Sequence, residues 1–168
     1  MAGVAALADI DVAAGEFERA VEHWRRHFRG EALVKLDTEV GNAEIAGANL
    51  VLWGDPSSNA VMRRIADQLP IRWDSTTIKV GSKEFPADHH AVIAIYPNPL
   101  NKRKYVVLNS SFTFRDYDYL NNARQTPKLP DWAIVDLDTP PGSRWPGKIV
   151  AADFFGEDNV PTEAITMG

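Results

Sequence analysis

Ser57 and Ser58 are the residues whose type could most directly do chemistry, because a serine hydroxyl acts as a nucleophile when a histidine base activates it. The reactive serine of an α/β-hydrolase sits in a sharp Gly-x-Ser-x-Gly bend, and this chain contains no such spacing. His89 and His90 are the only histidines outside the first amphipathic segment, and nothing in their spacing places them beside either serine. We therefore predict no catalytic residue in this chain.

Metal and cofactor chemistry is also poorly supported by the residue pattern. His89 and His90 are adjacent, so on an extended segment their side chains point to opposite faces. His23 and His27 have the i,i+4 spacing that can share a metal ion, but no third ligand is evident. The chain has no cysteine, no phosphate-binding loop and no dinucleotide-binding glycine motif. The sequence predicts no metal and no cofactor.

A ligand site is the remaining possibility for the loop at residues 54–59. Ligands in open α/β sheets collect at the carboxyl ends of strands, and free amides at a helix start can hold an anion. Asp55 argues against an anion, because its own carboxylate would occupy that positive end. The turn at residues 97–101 is to be tested together with this loop. The residues predicted for ligand binding are Gly54, Asp55, Ser57, Ser58, Asn59, Tyr96 and Asn98.

Aromatic residues and paired carboxylates give weaker signals. Aromatic rings can stack on sugars, although most tryptophans in a domain of this size belong to the core. The aromatic residues in question are Trp53, Trp73, Tyr96 and Trp145. Asp136 and Asp138 point to one side if their strand extends that far, but Asp at a strand end is typical of a turn. None of these features outweighs its structural explanation.

The elements that position loop 54–59 can be read from hydrophobic spacing. Residues 17–28 have the period of an amphipathic helix with a core-facing aromatic stripe, which Gly30 ends. Asn42 is expected to cap a short helical turn, and residues 49–53 read as a buried strand. A helix then follows, capped by Ser57 or Ser58. Its predicted buried face comprises Val61, Met62, Ile65 and Leu69.

The second half of the chain predicts strands more than helices. Gly81-Ser82 is a hairpin signal, and short strands are predicted at 91–96, 105–109 and 132–137. A helix is predicted at 113–123, and an edge strand at 148–155. The expected fold class is α/β, with three layers. A mixed, mostly parallel sheet would have an antiparallel hairpin portion and helices on both faces.

Composition limits the partners. The 168 residues carry a net charge of −5, so nucleic acid binding is disfavoured, and no stretch is long and apolar enough for a membrane span. The start of the chain lacks the features of a signal peptide, and export as part of a larger protein stays open. We expect a flexible lead-in at 1–15, one α/β domain at 16–157 and a tail at 158–168. The oligomeric state is not predicted.

Several segments, taken in order, resemble a known group of proteins. These segments are residues 28–30, 35–40, 49–59, 69–73, 95–101 and 105–110. The chain resembles the C-terminal region of large bacterial α/β-hydrolase proteins of the prolyl-oligopeptidase or esterase type. The resemblance runs from Phe17 to Phe155, nearly the whole chain.

The resemblance implies a function without a catalytic role for this chain. In such proteins the Ser-His-Asp machinery belongs to a separate upstream hydrolase domain, so no catalytic residue is carried over to these positions. The expected function is a non-catalytic accessory domain of a serine hydrolase, with the upstream hydrolase domain as partner. The alternative is a ligand- or carbohydrate-binding module that uses loop 54–59 to bind a polymer or a small molecule.

Overall fold

The computed structural model describes residues 3–7, 11–109, 130–139 and 148–157. The chain divides into two compact units. The first comprises Met1–Leu69 and Ile95–Ser110, and the second comprises Pro70–Ala94 and Ser111–Gly168. Helices and strands alternate in the first unit, whereas the described part of the second is built of strands. The strands form two sheets, one of which contains both parallel and antiparallel pairs.

Every described strand pair of the first unit is parallel. Its strands are β1 (Gly3–Leu7), β2 (Leu33–Leu36), β3 (Asn49–Trp53) and β8 (Tyr105–Asn109). β1 pairs with β2 on one side and β3 on the other, and β3 pairs with β8. Since these strands run in the same direction, the carboxyl ends of β3 and β8 lie at the same edge, where loop 54–59 begins.

A helix follows each of β1, β2 and β3 along the chain. These helices are α1 (Asp11–Phe28), α2 (Asn42–Gly47) and α3 (Ala60–Ile65), with short 3-10 turns at Asp37–Glu39 and Ala66–Gln68. Leu50 and Leu52 of β3 are fully buried, as are Met62 and Ile65 of α3. The strand and the helix that flank loop 54–59 therefore both have apolar anchors in the core, and removing such groups from water is the main force that fixes them.

The second unit is antiparallel throughout its described pairs. β4 (Ile71–Trp73), β5 (Thr77–Val80) and β6 (Lys83–Pro86) form a three-stranded sheet of their own. β9 (Trp132–Asp136) pairs with β10 (Lys148–Asp153) and with the His90–Ala94 part of β7 (His90–Pro97). Trp132 and Ile134 of β9 have no exposed surface, which makes this strand the centre of the core in this unit.

The fold confirms most of the strands predicted from spacing. A two-residue loop joins Val80 to Lys83, as the Gly81-Ser82 signal predicts, and Gly81 has the positive φ of 58° that such a turn needs. The hairpin belongs to a separate sheet, however, and does not extend a mixed one. The reason is that β4, which the spacing did not reveal, supplies its third strand.

Three local expectations are corrected. Residues 3–7, expected within a flexible lead-in, form β1, because pairing on both sides compensates for their small side chains. Asn42 is the first residue of α2 and Gly41 is the N-cap. Phe28 does not face the core: it is 68% exposed and its ring lies against Trp24, while Phe17 is buried. The helix predicted at 113–123 lies outside the described residues.

Candidate functional site

The loop at residues 54–59 is organised by the carboxylate of Asp55. Its Oδ1 atom accepts hydrogen bonds from the backbone N–H groups of Ser57 (2.7 Å) and Ser58 (2.9 Å). The same oxygen accepts from the hydroxyls of Ser57 (2.6 Å) and Ser58 (3.1 Å). The loop leaves β3 through Gly54, whose φ of 103° favours glycine and whose N–H donates to Asn109 at the end of β8. Both serines thus have a structural partner within the loop.

These hydrogen bonds also set the acidity of Asp55. Partial burial by itself raises the pKa of this carboxyl, because it disfavours the charged form. The hydrogen bonds from Ser57 and Ser58 stabilise the charge and outweigh burial, so the pKa lies below its ordinary value of 3.8. A carboxylate of lowered pKa is a weak base, which makes it a poor activator of a neighbouring hydroxyl near neutral pH.

Asn59, and neither serine, caps helix α3. Its Oδ1 accepts from the backbone N–H groups of Val61 and Met62, both at 3.0 Å, and its Nδ2 donates to the carbonyl of Trp53 at 3.0 Å. The expectation that Ser57 or Ser58 would cap this helix is therefore wrong. The physical reason is position: Asn59 directly precedes the first helical residue, where its side chain reaches the first free amides.

The free amides expected at this helix start already have acceptors within the chain. The N–H of Ala60 donates to the carboxylate of Asp37, which lies 23 residues earlier and is buried. On the other side of the loop, the guanidinium of Arg63 donates to the carbonyls of Pro56 and Ser57. An anion at this position would have to displace Asp37 or Asn59. The groups that remain for a ligand are side chains on the outer surface of the loop.

The turn that contains Asn98 supplies donors to the carbonyl end of a helix, whereas loop 54–59 supplies acceptors to the amide end of one. The Oδ1 of Asn98 accepts from the N–H of Leu100, and Asn98 is fully buried. Asn101 donates to the carbonyl of Ile45, and the ammonium of Lys104 donates to the carbonyl of Gly47. These carbonyls belong to the last turn of α2, where intrahelical partners run out. The side-chain bond of Asn98 to Leu100 stays within its own turn and does not reach loop 54–59.

The described aromatic residues that the sequence singles out for sugar stacking offer no fully exposed ring. Trp53 and Trp73 are buried, and burial raises the pKa of Tyr96, which is only partly exposed. Trp53 lines a cavity of about 50 Å³ together with Phe17 and Trp24. That is well below the roughly 150 Å³ of a cavity that holds a benzene ring, so this cavity does not enclose a sugar ring. Trp145 lies outside the described residues.

His89 and His90 have partners in the second unit. The Nδ1 of His89 lies 3.1 Å from a carboxylate oxygen of Asp138, and the Nδ1 of His90 lies 2.9 Å from the carbonyl of Pro86. Asp136 starts a turn, since it accepts from the N–H of Asp138 and the hydroxyl of Thr139. In the described ranges, no three histidine or acidic residues are arranged to hold a metal ion. The side chains of His23 and His27 lie outside the described residues.

Sequence reasoning missed the side chains that hold the two candidate segments in place. Asp37 and Asn101 act across gaps of 23 and 56 residues, and spacing carries no signal for such contacts. Asn59 was recognisable by type, but it follows two serines that are equally good caps by type.

No helix among the described residues is long and apolar enough to cross a membrane.

Comparison of the chain with models of known protein families, with characterised proteins and with solved structures finds no match.

Proposed function

We propose that this chain is a non-catalytic accessory domain that works beside a serine hydrolase of the peptidase or esterase type. The ordered set of segments that resembles the C-terminal region of such proteins supports the association. The geometry of loop 54–59 supports the absence of a catalytic role. The proposal retains the three-layer arrangement, with helices on both sheet faces, that the sequence predicts.

The observation that carries the non-catalytic part is the engagement of both serine hydroxyls by Asp55. A nucleophilic serine needs a base that removes its proton near neutral pH, most often an imidazole held by a carboxylate. The hydroxyl of Ser57 instead lies 2.6 Å from a carboxylate oxygen whose pKa is lowered. The imidazole of His89 is held by Asp138 and Asp88. The serines therefore stabilise a turn.

The ligand-binding alternative is less well supported by the same contacts. The amides that would hold an anion donate to Asp55, Asn59 and Asp37, and Asn98 is buried in its own turn. A ligand at loop 54–59 would have to bind through side chains on the outer surface of the loop, such as those of Ser57 and Arg63. Exposed side chains leave a ligand largely hydrated, whereas binding sites bury most of the ligand surface.

Hydrolase assays test the non-catalytic part directly. We expect the purified chain to show no turnover of p-nitrophenyl esters or peptide p-nitroanilides and no labelling by a fluorophosphonate. Turnover that Ser57→Ala or Ser58→Ala abolishes would overturn the proposal. Thr76→Ala is the matched control, because Thr76 holds the same place beside Asp74 that Ser57 holds beside Asp55. Activity that also falls in Thr76→Ala would report lost stability and not lost chemistry.

The association itself requires a second experiment. The reading frame that encodes this chain is sequenced upstream, and the hydrolase domain found there is expressed with and without the chain. We expect the hydrolase domain to unfold at a higher temperature, or to change its preference for substrate length, when the chain is attached. A frame without any hydrolase domain, or a hydrolase unaffected in both properties, would contradict the proposal.

A further inference from the structure

The most unusual charged cluster outside loop 54–59 surrounds His89 in the second unit. His89 immediately precedes β7, and its Nδ1 lies 3.1 Å from Oδ1 of Asp138, just beyond the end of β9. Its Nε2 lies 3.4 Å from Oδ2 of Asp88. The backbone carbonyl of His89 accepts a 2.8 Å hydrogen bond from the N–H of Leu137. One imidazole thus lies between two carboxylates at the point where the pairing of β7 and β9 ends.

The chemistry of imidazole makes this arrangement dependent on a proton. A neutral imidazole carries one N–H donor and one lone pair, whereas the protonated ring donates from both nitrogens. Two flanking carboxylates offer only acceptors. A neutral His89 can therefore donate to only one of Asp88 and Asp138, and it has no charge that attracts the other. Protonation supplies a second donor and a positive charge that attracts both carboxylates.

We propose that Asp88, His89 and Asp138 form a proton-dependent clamp that fastens the segment after β9 to the start of β7. The clamp closes when His89 takes up a proton and loosens when His89 releases it. The clamp controls the stretch Leu137–Thr139. The other described hydrogen bonds of this stretch are the one from the N–H of Leu137 to the carbonyl of His89 and the two turn bonds to the carboxylate of Asp136. The clamp lies wholly in the second unit and does not depend on the proposed function.

The charges that face His89 all favour the closed form. Asp138 raises the pKa of His89 most, by its hydrogen bond and its charge, and Asp88 and Asp136 add to the rise. The N–H of Asp138 does most to lower the pKa of Asp136, and Thr139, His90 and Lys148 lower it further, so Asp136 stays charged. Among the described residues, His90 and Lys148 therefore act on Asp136, one step removed from the imidazole of His89.

The sign of the pH effect follows from the raised pKa. A group whose pKa is higher in the folded state contributes stability that is fully present below its ordinary value of 6.5 and is lost as the pH rises through the raised value. His89 and both carboxylates are largely exposed, so water and salt screen the attraction. The clamp is consequently local and reversible, and it does not set global stability.

Amide hydrogen exchange at Leu137 reports the closed form, because its N–H donates to His89. After correction for intrinsic rates, we expect its protection to be about two- to fivefold higher at pH 5.5 than at pH 8.5 in low salt. High salt should reduce the difference. In parallel, an NMR titration should place the pKa of His89 above its ordinary value, and Asp138→Asn should lower it more than Asp88→Asn.

Asp74→Asn serves as the control for loss of one negative charge, because Asp74 bonds to Thr76 and Thr77 and not to an imidazole. It should leave the titration of His89 and the protection of Leu137 as they are in the parent chain. The proposal is overturned if the protection of Leu137 is the same at both pH values. It is equally overturned if Asp138→Asn and Asp74→Asn shift the titration of His89 to the same extent.

Discussion

Two turns of this molecule, one in each unit, share a motif and lead into different elements. In the first unit, Asp55 accepts from the N–H and hydroxyl groups of Ser57 and Ser58. In the second unit, the sequence Asp74-Ser75-Thr76-Thr77 repeats the pattern. There Asp74 accepts from the N–H of Thr76 (2.8 Å), the hydroxyl of Thr76 (2.7 Å) and the N–H of Thr77 (2.9 Å).

The difference between the turns lies in burial and in the next element. Asp55 is half-buried and its turn leads into helix α3, whereas Asp74 is exposed and its turn leads into β5. In both turns a carboxylate organises hydroxyl side chains that come two positions later, as Asx and ST turns do. The same local chemistry in a plain connection between antiparallel strands shows that the serines of loop 54–59 need no catalytic explanation. The residue that sets that loop apart is Asn59.

Of the substitutions that compare the two turns, Asn59→Ala is expected to lower the free energy of unfolding most. It removes the cap from two amides of α3 and leaves the carbonyl of Trp53 without its 3.0 Å donor. Loss of a cap costs about 1–2 kcal/mol, and a buried carbonyl without a donor adds about 1–2 kcal/mol, for a total of about 3 kcal/mol. Urea unfolding followed by tryptophan fluorescence measures it.

The matched control for this variant is Asn42→Ala. Asn42 is exposed and is the first residue of α2, so its loss should change the free energy of unfolding by less than about 0.5 kcal/mol. Equal losses for the two variants would show that helix propensity, and not capping, explains the result at Asn59.

Substitution of one glycine in each unit should give the next largest difference in the free energy of unfolding. Gly54 has a φ of 103°, well beyond the left-handed helical region, so a side chain there is strained by about 2 kcal/mol. Gly81 has a φ of 58°, within that region, and a Cβ there meets nothing within 4 Å. Gly81→Ala should therefore cost about 1 kcal/mol. Unfolding free energies that rank the two variants in the reverse order would refute the assignment of greater strain to the first turn.

Asp55→Asn and Asp74→Asn compare the two carboxylates themselves. We expect Asp55→Asn to cost about 1 kcal/mol at pH 7 after allowance for solvent screening, and Asp74→Asn to cost less because that turn is exposed. The pKa of Asp55 is lowered, so its contribution is present above the ordinary value of 3.8 and is lost as the pH falls through the lower folded value. The stability gap between the parent chain and Asp55→Asn should therefore close in acid. A gap unchanged from pH 7 down to pH 2 would contradict the assignment.

The sequence could predict the elements whose own side chains carry a strong period or turn signal. The 3.6-residue spacing of Phe17, Val21 and Trp24 indicates α1, and Gly81 marks the hairpin. It could not reveal β1, because Gly, Val, Ala, Ala and Leu have too little apolar bulk to stand out, and pairing on both sides is the interaction that fixes this strand.

The candidate site shows a similar division. The loop and the turn were located correctly, since Gly, Pro, Asp and Asn mark such segments by their own backbone preferences. Their roles at the start of α3 and at the end of α2 also involve contacts between residues far apart along the chain: Ala60 with Asp37, Asn101 with Ile45, and Lys104 with Gly47. The same residue types predict a ligand site and a helix cap. Only the hydrogen-bond partners seen in the structure distinguish the two roles.

Among the substitutions in loop 54–59, Ser57→Ala is expected to lower the free energy of unfolding least, and it tests most directly whether the shared motif has the same role in both turns. Ser57 is exposed, and the variant removes one hydroxyl donor from Asp55 while the two amide donors remain. The cost should be about 0.5 kcal/mol, close to that of Thr76→Ala in the second turn, because each loses one bond to an aspartate of the same kind. Urea titrations of Ser57→Ala and Thr76→Ala, run in parallel, measure the two costs. A loss above about 2 kcal/mol for Ser57→Ala alone would mean that this hydroxyl does something in the first unit that its counterpart does not do in the second.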